Sequence, residues 1–137
     1  MQSNRNADIL RHIVDYCNEI NNTIERFGNN YETFSKDSVY QNAVALCVLQ
    51  IGELTTHFTE EFKNTYNEMP WNQIKALRNV VAHNYGKIDK EILWETILND
   101  IPKLQDYCSR IEKQFETMLQ ECICEEEEQI DYGMKFQ

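Results

Sequence analysis

Glycine and proline are scarce in this chain, with four and two among 137 residues. That leaves little room for hairpin turns or long irregular loops, so a helical fold is favoured. No apolar run approaches the ~18 residues that a membrane span needs. The start, MQSNRNAD, is polar and lacks the hydrophobic centre of a signal peptide. There is no Gly-rich phosphate loop, no nucleophile elbow and no paired-aspartate metal site. The five cysteines (Cys17, Cys47, Cys108, Cys122 and Cys124) are odd in number, and most fall where helix core is expected. Free thiols in a reducing cytoplasm follow more simply than a disulfide framework. Cys122-x-Cys124 lacks a second pair or nearby histidines, so no metal site is expected there.

What remains suits one globular domain: 42% apolar residues, including six Phe, seven Tyr and two Trp. The net charge of −10 argues against indiscriminate binding of nucleic acid. Its distribution is uneven. Residues 121–137 hold six acids and one base, while residues 71–90 hold Lys75, Arg78, Lys87 and Lys90 against Asp89 alone. An acidic body with one basic island can handle a chosen phosphate without gripping RNA broadly.

Apolar spacing predicts the helices. Ile9, Leu10, Ile13, Val14, Cys17, Ile20, Ile24 and Phe27 form one stripe, ended by Gly28 and Asn29-Asn30. NNYETFS reads as a connection. A second helix starts near Asp37 or Ser38, either able to cap it, and runs to about Phe58. Its middle, VALCVLQIG, is almost wholly apolar and should be the most buried part of the chain. Gly52 inside it normally costs stability and points to a close helix crossing. Thr59 to Tyr66 form a short helix. Pro70 opens the next one, over WNQIKALRNVVAHNYG, which closes on Gly86.

Asp89 caps a last helix, with Ile88 set to staple onto Leu93. Trp94, Ile97, Ile101, Leu104, Cys108, Ile111, Phe115, Met118 and Cys122 make a heptad-like seam, kinked at Pro102. The expected architecture is all-α: an up-and-down bundle of four main helices plus a short one. Residues 1–124 form the domain, and 125–137 an acidic, flexible tail.

Chemistry concentrates between Lys75 and Lys87. Ile74, Leu77, Val81 and Ala82 give the helix an apolar stripe, and Arg78, Asn79, His83, Asn84 and Tyr85 are the polar residues of its last turns. Asn79 and His83 lie one turn apart, Arg78 and Tyr85 two turns apart. A guanidinium, an amide, an imidazole and a phenol in two turns suit a phosphate ester better than an apolar ligand. Taken singly, each residue has a plain structural use: His83 can complement the helix dipole, Arg78 can pair with a carboxylate, and Tyr85 can cover the helix end. Glu53 fits an ion pair or cap better than a catalytic role. His12 and His57 read as surface or partly buried side chains, Trp71 and Trp94 as core anchors.

Arg78-Asn79-x-x-x-His83-x-Tyr85 resembles the R-x4-H-x-Y signature of the HepT-like branch of the HEPN superfamily. Asp8-Ile9-Leu10, Ile51-Gly52-Glu53, Pro70-Trp71, Asp89, Trp94 and Asp100-Ile101-Pro102-x-Leu104 are similar to the family's other landmarks, in order. The resemblance implies an HEPN-like fold and a toxin of a prokaryotic toxin–antitoxin pair that cleaves RNA as a homodimer, without metal or cofactor. It also implies a nucleotidyltransferase antitoxin of the MntA type, which silences the toxin by transferring AMP to Tyr85.

The chemistry supplies its own reason for a dimer. Metal-free cleavage needs a base for the 2′-hydroxyl and an acid for the leaving 5′-oxygen. The motif has one histidine, His83, and a two-fold dimer provides two. Arg78 would hold the phosphate and its transition-state charge. Asn79 would orient the imidazole or bond a phosphate oxygen, and Lys75, Asn84, Tyr85 and Lys87 would contact the RNA. A second reading, favoured by the net charge, is a non-catalytic helical partner of a nucleotidyltransferase that carries Tyr85 as its AMP acceptor.

Overall fold

Short polar side chains and one glycine set the helix ends. The computed structural model describes residues 2–82 and 89–134, with side chains over 5–79, at 81 and over 89–123. The first helix, α1 (Gln2–Phe27), stops at Gly28. Gly28 has φ 111°, a conformation that side-chain-bearing residues rarely adopt, and its N–H returns to the Ile24 carbonyl at 2.8 Å. The Tyr40 hydroxyl donates to the Gly28 carbonyl at 3.0 Å, which ties the turn to the next long helix.

Where the spacing predicts a plain connection, the chain forms a short helix, α2 (Tyr31–Lys36). Asn30 Oδ1 caps it, accepting from the amides of Glu32 (2.8 Å) and Thr33 (3.3 Å). So short a helix is not stable alone. Phe34, fully buried, holds it down, in contact with Tyr40 and Trp94 at 5.0 Å between ring centres.

Asp37 caps α3 (Ser38–Thr55), with Oδ1 accepting from Val39 and Tyr40 amides at 3.0 and 3.3 Å. The helix ends short of the expected Phe58. Thr55 and Thr56 hydroxyls donate back to the carbonyls of Gly52 and Glu53 at 2.8 and 2.7 Å, local bonds that compete with helix continuation. Thr59 caps α4 (Glu60–Thr65), the short helix foreseen, and a pair of bonds between Asn6 and Thr59 fastens this corner to α1.

After Pro70 comes α5 (Trp71–Ala82). Asp89 caps α6 (Lys90–Glu95), its Oδ1 accepting from the Ile92 amide at 3.2 Å. A π-helical turn, Thr96–Asp100, then leads into α7 (Ile101–Met134). The disturbance expected at Pro102 lies in the turn before it. A proline ring crowds the carbonyl four residues earlier and offers it no N–H, and the wider π turn relieves that clash. Helix continues to Met134, into the acidic stretch that charge alone marks as a tail from 125. Residues 135–137, Gly86 and the staple residue Ile88 lie outside the described residues.

The fold is therefore all-α, with no strand among the described residues. Helix α3 is central, packed on α1 and α5, while α7 lies along α1. Leu10, Ile13, Cys17 and Ile20 of α1 meet Val44, Val48 and Ile51 of α3, Ile74 of α5, and Leu93, Ile97, Ile101, Leu104, Cys108 and Ile111 of the last rod. Aromatic clusters close both ends of α1: Phe27, Tyr40, Phe34 and Trp94 at one, Phe58, Phe62 and Trp71 at the other. The two tryptophans thus anchor opposite ends of the bundle. Cys17, Cys47 and Cys108 are buried free thiols, and burial pushes Cys17 up to about 12 and Cys47 to about 11. Among the described residues no helix is long and apolar enough to cross a membrane.

Candidate active site

The signature helix α5 is split lengthwise by its sequence. Trp71 and Ile74 are buried and Leu77 and Val81 half-buried, whereas Lys75, Ala76 and Asn79 face outward. Arg78 sits on the boundary between the two faces, its side chain 32% exposed.

That boundary is where α5 comes closest to α3. A methyl group built on Gly52 would stand 3.0 Å from both the Cβ and the backbone nitrogen of Arg78. Only a residue without a Cβ permits the contact unstrained, so the helix propensity that Gly52 gives up allows a backbone approach. The close crossing expected from sequence is present, and its partner is the signature arginine.

The residue after this glycine completes the arrangement. Glu53 Oε2 accepts from Arg78 Nη1 at 2.7 Å, a short charge-assisted bond between the two helices. The bond from Arg78, its positive charge, and the further charges of His57 and Lys75 hold the Glu53 carboxyl below its ordinary value, against a smaller opposing effect of desolvation. Glu53 is therefore ionised at neutral pH. Arg78 is bonded to this carboxylate, and Lys75 adds a second basic side chain on the same face.

The structure thus joins Arg78 to Glu53 and sets Lys75 nearby, with Asn79 on the exposed face beside them. His83, Asn84, Tyr85 and Lys87 of the expected site lie outside the described residues, as does the side chain of Cys124. The pairing of Glu53 with Arg78 goes beyond the general ion-pair use that its type suggests. The pointer was in the sequence: a glycine in an otherwise apolar helix, followed at once by a carboxylate. Of the two placements expected for His12 and His57, surface or partly buried, the structure shows both exposed.

Chemically, this face offers a fixed guanidinium on the rim of a half-buried crossing, with further positive charge around it. Such a group can receive a phosphate oxygen while its carboxylate partner keeps it oriented, since a guanidinium carries five N–H donors and the pair uses Nη1.

Comparison with known proteins agrees in extent with this site. The family described as ribonuclease HepT-like matches residues 13–111, a span that includes Gly52, Glu53 and the whole of the signature from Arg78 to Tyr85. A protein of Caldanaerobacter subterraneus subsp. tengcongensis named "Putative RNase TTE0752" is 34% identical over 103 residues, covering 74% of this chain and 89% of the relative. "Probable ribonuclease HepT" of Thermococcus cleftensis is 31% identical over 83 residues, 61% of this chain and 76% of the relative. "Putative RNase MJ0127" of Methanocaldococcus jannaschii is 30% identical over 93 residues, 68% of this chain and 69% of the relative. No solved structure matches the chain.

Proposed function

Since the chain belongs to the ribonuclease HepT-like family, we propose that it is the toxin of a toxin–antitoxin pair and an endoribonuclease that needs no metal. The observation that carries this reading is the family match running through an intact Arg78–Tyr85 signature, with Arg78 fixed between Gly52 and Glu53.

In the proposed reaction the 2′-hydroxyl attacks the adjacent phosphorus. The 5′-oxygen leaves, giving a 2′,3′-cyclic phosphate on one fragment and a 5′-hydroxyl on the other. One His83 takes the proton of the attacking hydroxyl, and the His83 of a second copy protonates the leaving oxygen. An unperturbed imidazole has a pKa of about 6.5, which suits either task. Arg78 meets the charge that grows on the non-bridging oxygens. Asn79 orients His83 or a phosphate oxygen, and Lys75, Asn84, Tyr85 and Lys87 contact the RNA. The working unit is a homodimer, because one chain brings one motif histidine to a step that needs two.

The partner in this proposal is a nucleotidyltransferase antitoxin of the MntA type, acting in the cytoplasm. Transfer of AMP to the Tyr85 hydroxyl would place a bulky anion among the groups that otherwise receive RNA. A second reading, the non-catalytic partner subunit with Tyr85 as AMP acceptor, draws on the net charge of −10. One preparation separates the two. The purified chain, free of any partner, is expected to cut RNA in excess chelator, and His83→Ala to lose at least ~100-fold of that rate. Cutting that stops with the chelator, or survives the substitution, contradicts the nuclease scheme. The same protein, incubated with the neighbouring nucleotidyltransferase and ATP, should gain one AMP at Tyr85; modification only elsewhere removes Tyr85 from that role.

A further inference from the structure

We infer that Glu53 is a positioning residue for cleavage: it holds the Arg78 guanidinium in the orientation that receives the scissile phosphate, and so extends the site from α5 onto α3. The inference rests on the nuclease reading of Arg78.

An arginine side chain has many rotamers, and ordering it only as substrate arrives weakens its action in the transition state. Here the side chain is restrained at both ends. Its backbone nitrogen and Cβ lie 3.0 Å from where a Cβ on Gly52 would stand, and its Nη1 is held by Glu53 at 2.7 Å. The two restraints come from consecutive residues of one helical turn, so the position of the backbone and the aim of the guanidinium are set together.

Most exposed ion pairs do little, because two long side chains must be frozen for a small Coulomb gain. This pair differs in that its arginine stands where α5 approaches the side-chain-less Gly52, next in sequence to the carboxylate that bonds it. The Arg78 side chain is 32% exposed, while Glu53 reaches it from the surface, 49% exposed. The bond from Arg78 and then its charge, with a smaller contribution from Lys75 on α5, hold the Glu53 carboxyl below its ordinary value, so that it stays ionised and able to hold the guanidinium.

A carboxylate in this place has a second consequence. It offsets part of the positive charge offered to RNA. Removing it should therefore improve ground-state attraction to RNA while spoiling transition-state geometry, a split that loss of general structural support does not produce.

The test compares wild type with Glu53→Gln and Glu53→Ala as full-length chains, on one defined RNA in excess chelator. Glu53→Gln should lower kcat about 10-fold and Glu53→Ala about 100-fold, with KM unchanged or ~2-fold lower. Side-chain 15N NMR of Arg78 should show restricted guanidinium rotation in wild type and its release in both variants. A kcat within ~2-fold of wild type in both variants overturns the inference, and so does a guanidinium equally free in all three. Undiminished cutting by Arg78→Ala overturns the underlying nuclease reading instead.

Discussion

The α3–α5 crossing and the outer half of α7 come from opposite kinds of sequence. The crossing has no long regular repeat. Its geometry depends on one glycine, Gly52, whose missing side chain lets Arg78 approach, and on the carboxylate next to it. The outer half of α7 continues a regular apolar seam, yet cover fails along it. Leu104, Cys108 and Ile111 are buried and Phe115 half-buried, but Met118 is 51% exposed and Cys122 is exposed, as are Leu119 (63%) and Ile123 (45%) next to them in sequence. Periodicity therefore identifies which face of a helix is apolar but leaves open how far a neighbour reaches along it. A single break in pattern was the better guide to a close contact.

This contrast can be broken or sharpened experimentally. The largest effect should separate the two halves of α7. Leu104→Ala, at a fully buried site, is expected to cost ~2–5 kcal/mol of stability in denaturant unfolding. Leu119→Ala should stay within ~0.5 kcal/mol, as exposed substitutions do. Equal losses at the two positions would mean that the outer seam is covered in solution. Next comes the crossing. Gly52→Val must push Arg78 and α3 apart, and overpacking of this kind costs ~1–3 kcal/mol. A neutral valine would show that the helices are not held so close.

The smallest effect is the response of the Glu53–Arg78 pair to acid. Its folded carboxyl titrates below the unfolded one, so its contribution to stability is present above the unfolded value of ~4.3 and is lost as pH falls through the folded value. The difference in melting temperature between wild type and Glu53→Gln should therefore shrink as pH is taken from about 6 to about 3. A difference that grows over that range contradicts an ionised, arginine-held Glu53.

Much of the fold was legible from residue types with a local physical consequence. Asp37 and Asp89 cap the helices they precede, Gly28 ends α1, and the stripe from Ile9 to Ile20 faces the core. What escaped sequence reasoning depends on distant partners. The α2 turn is too short to declare itself and exists because Phe34 finds Tyr40 and Trp94. The π turn arises from the proline's effect on the residues before it. The Glu53–Arg78 bond joins residues 25 apart in sequence, which no spacing rule predicts. Of the expected site, Arg78, Asn79 and Lys75 fall within the described residues, and their helix could be placed because its apolar stripe and Pro70 mark it.

The account's central claim is that Arg78 acts on a phosphate during RNA cleavage without metal. The most direct measurement is the rate and end chemistry of cleavage of one defined RNA, in excess chelator, by wild type and Arg78→Ala. Wild type should leave 2′,3′-cyclic phosphate and 5′-hydroxyl ends, and Arg78→Ala should be slower by ~100–1,000-fold while melting within a few degrees of wild type. Equal rates for the two proteins, or 5′-phosphate ends from wild type, would contradict the account.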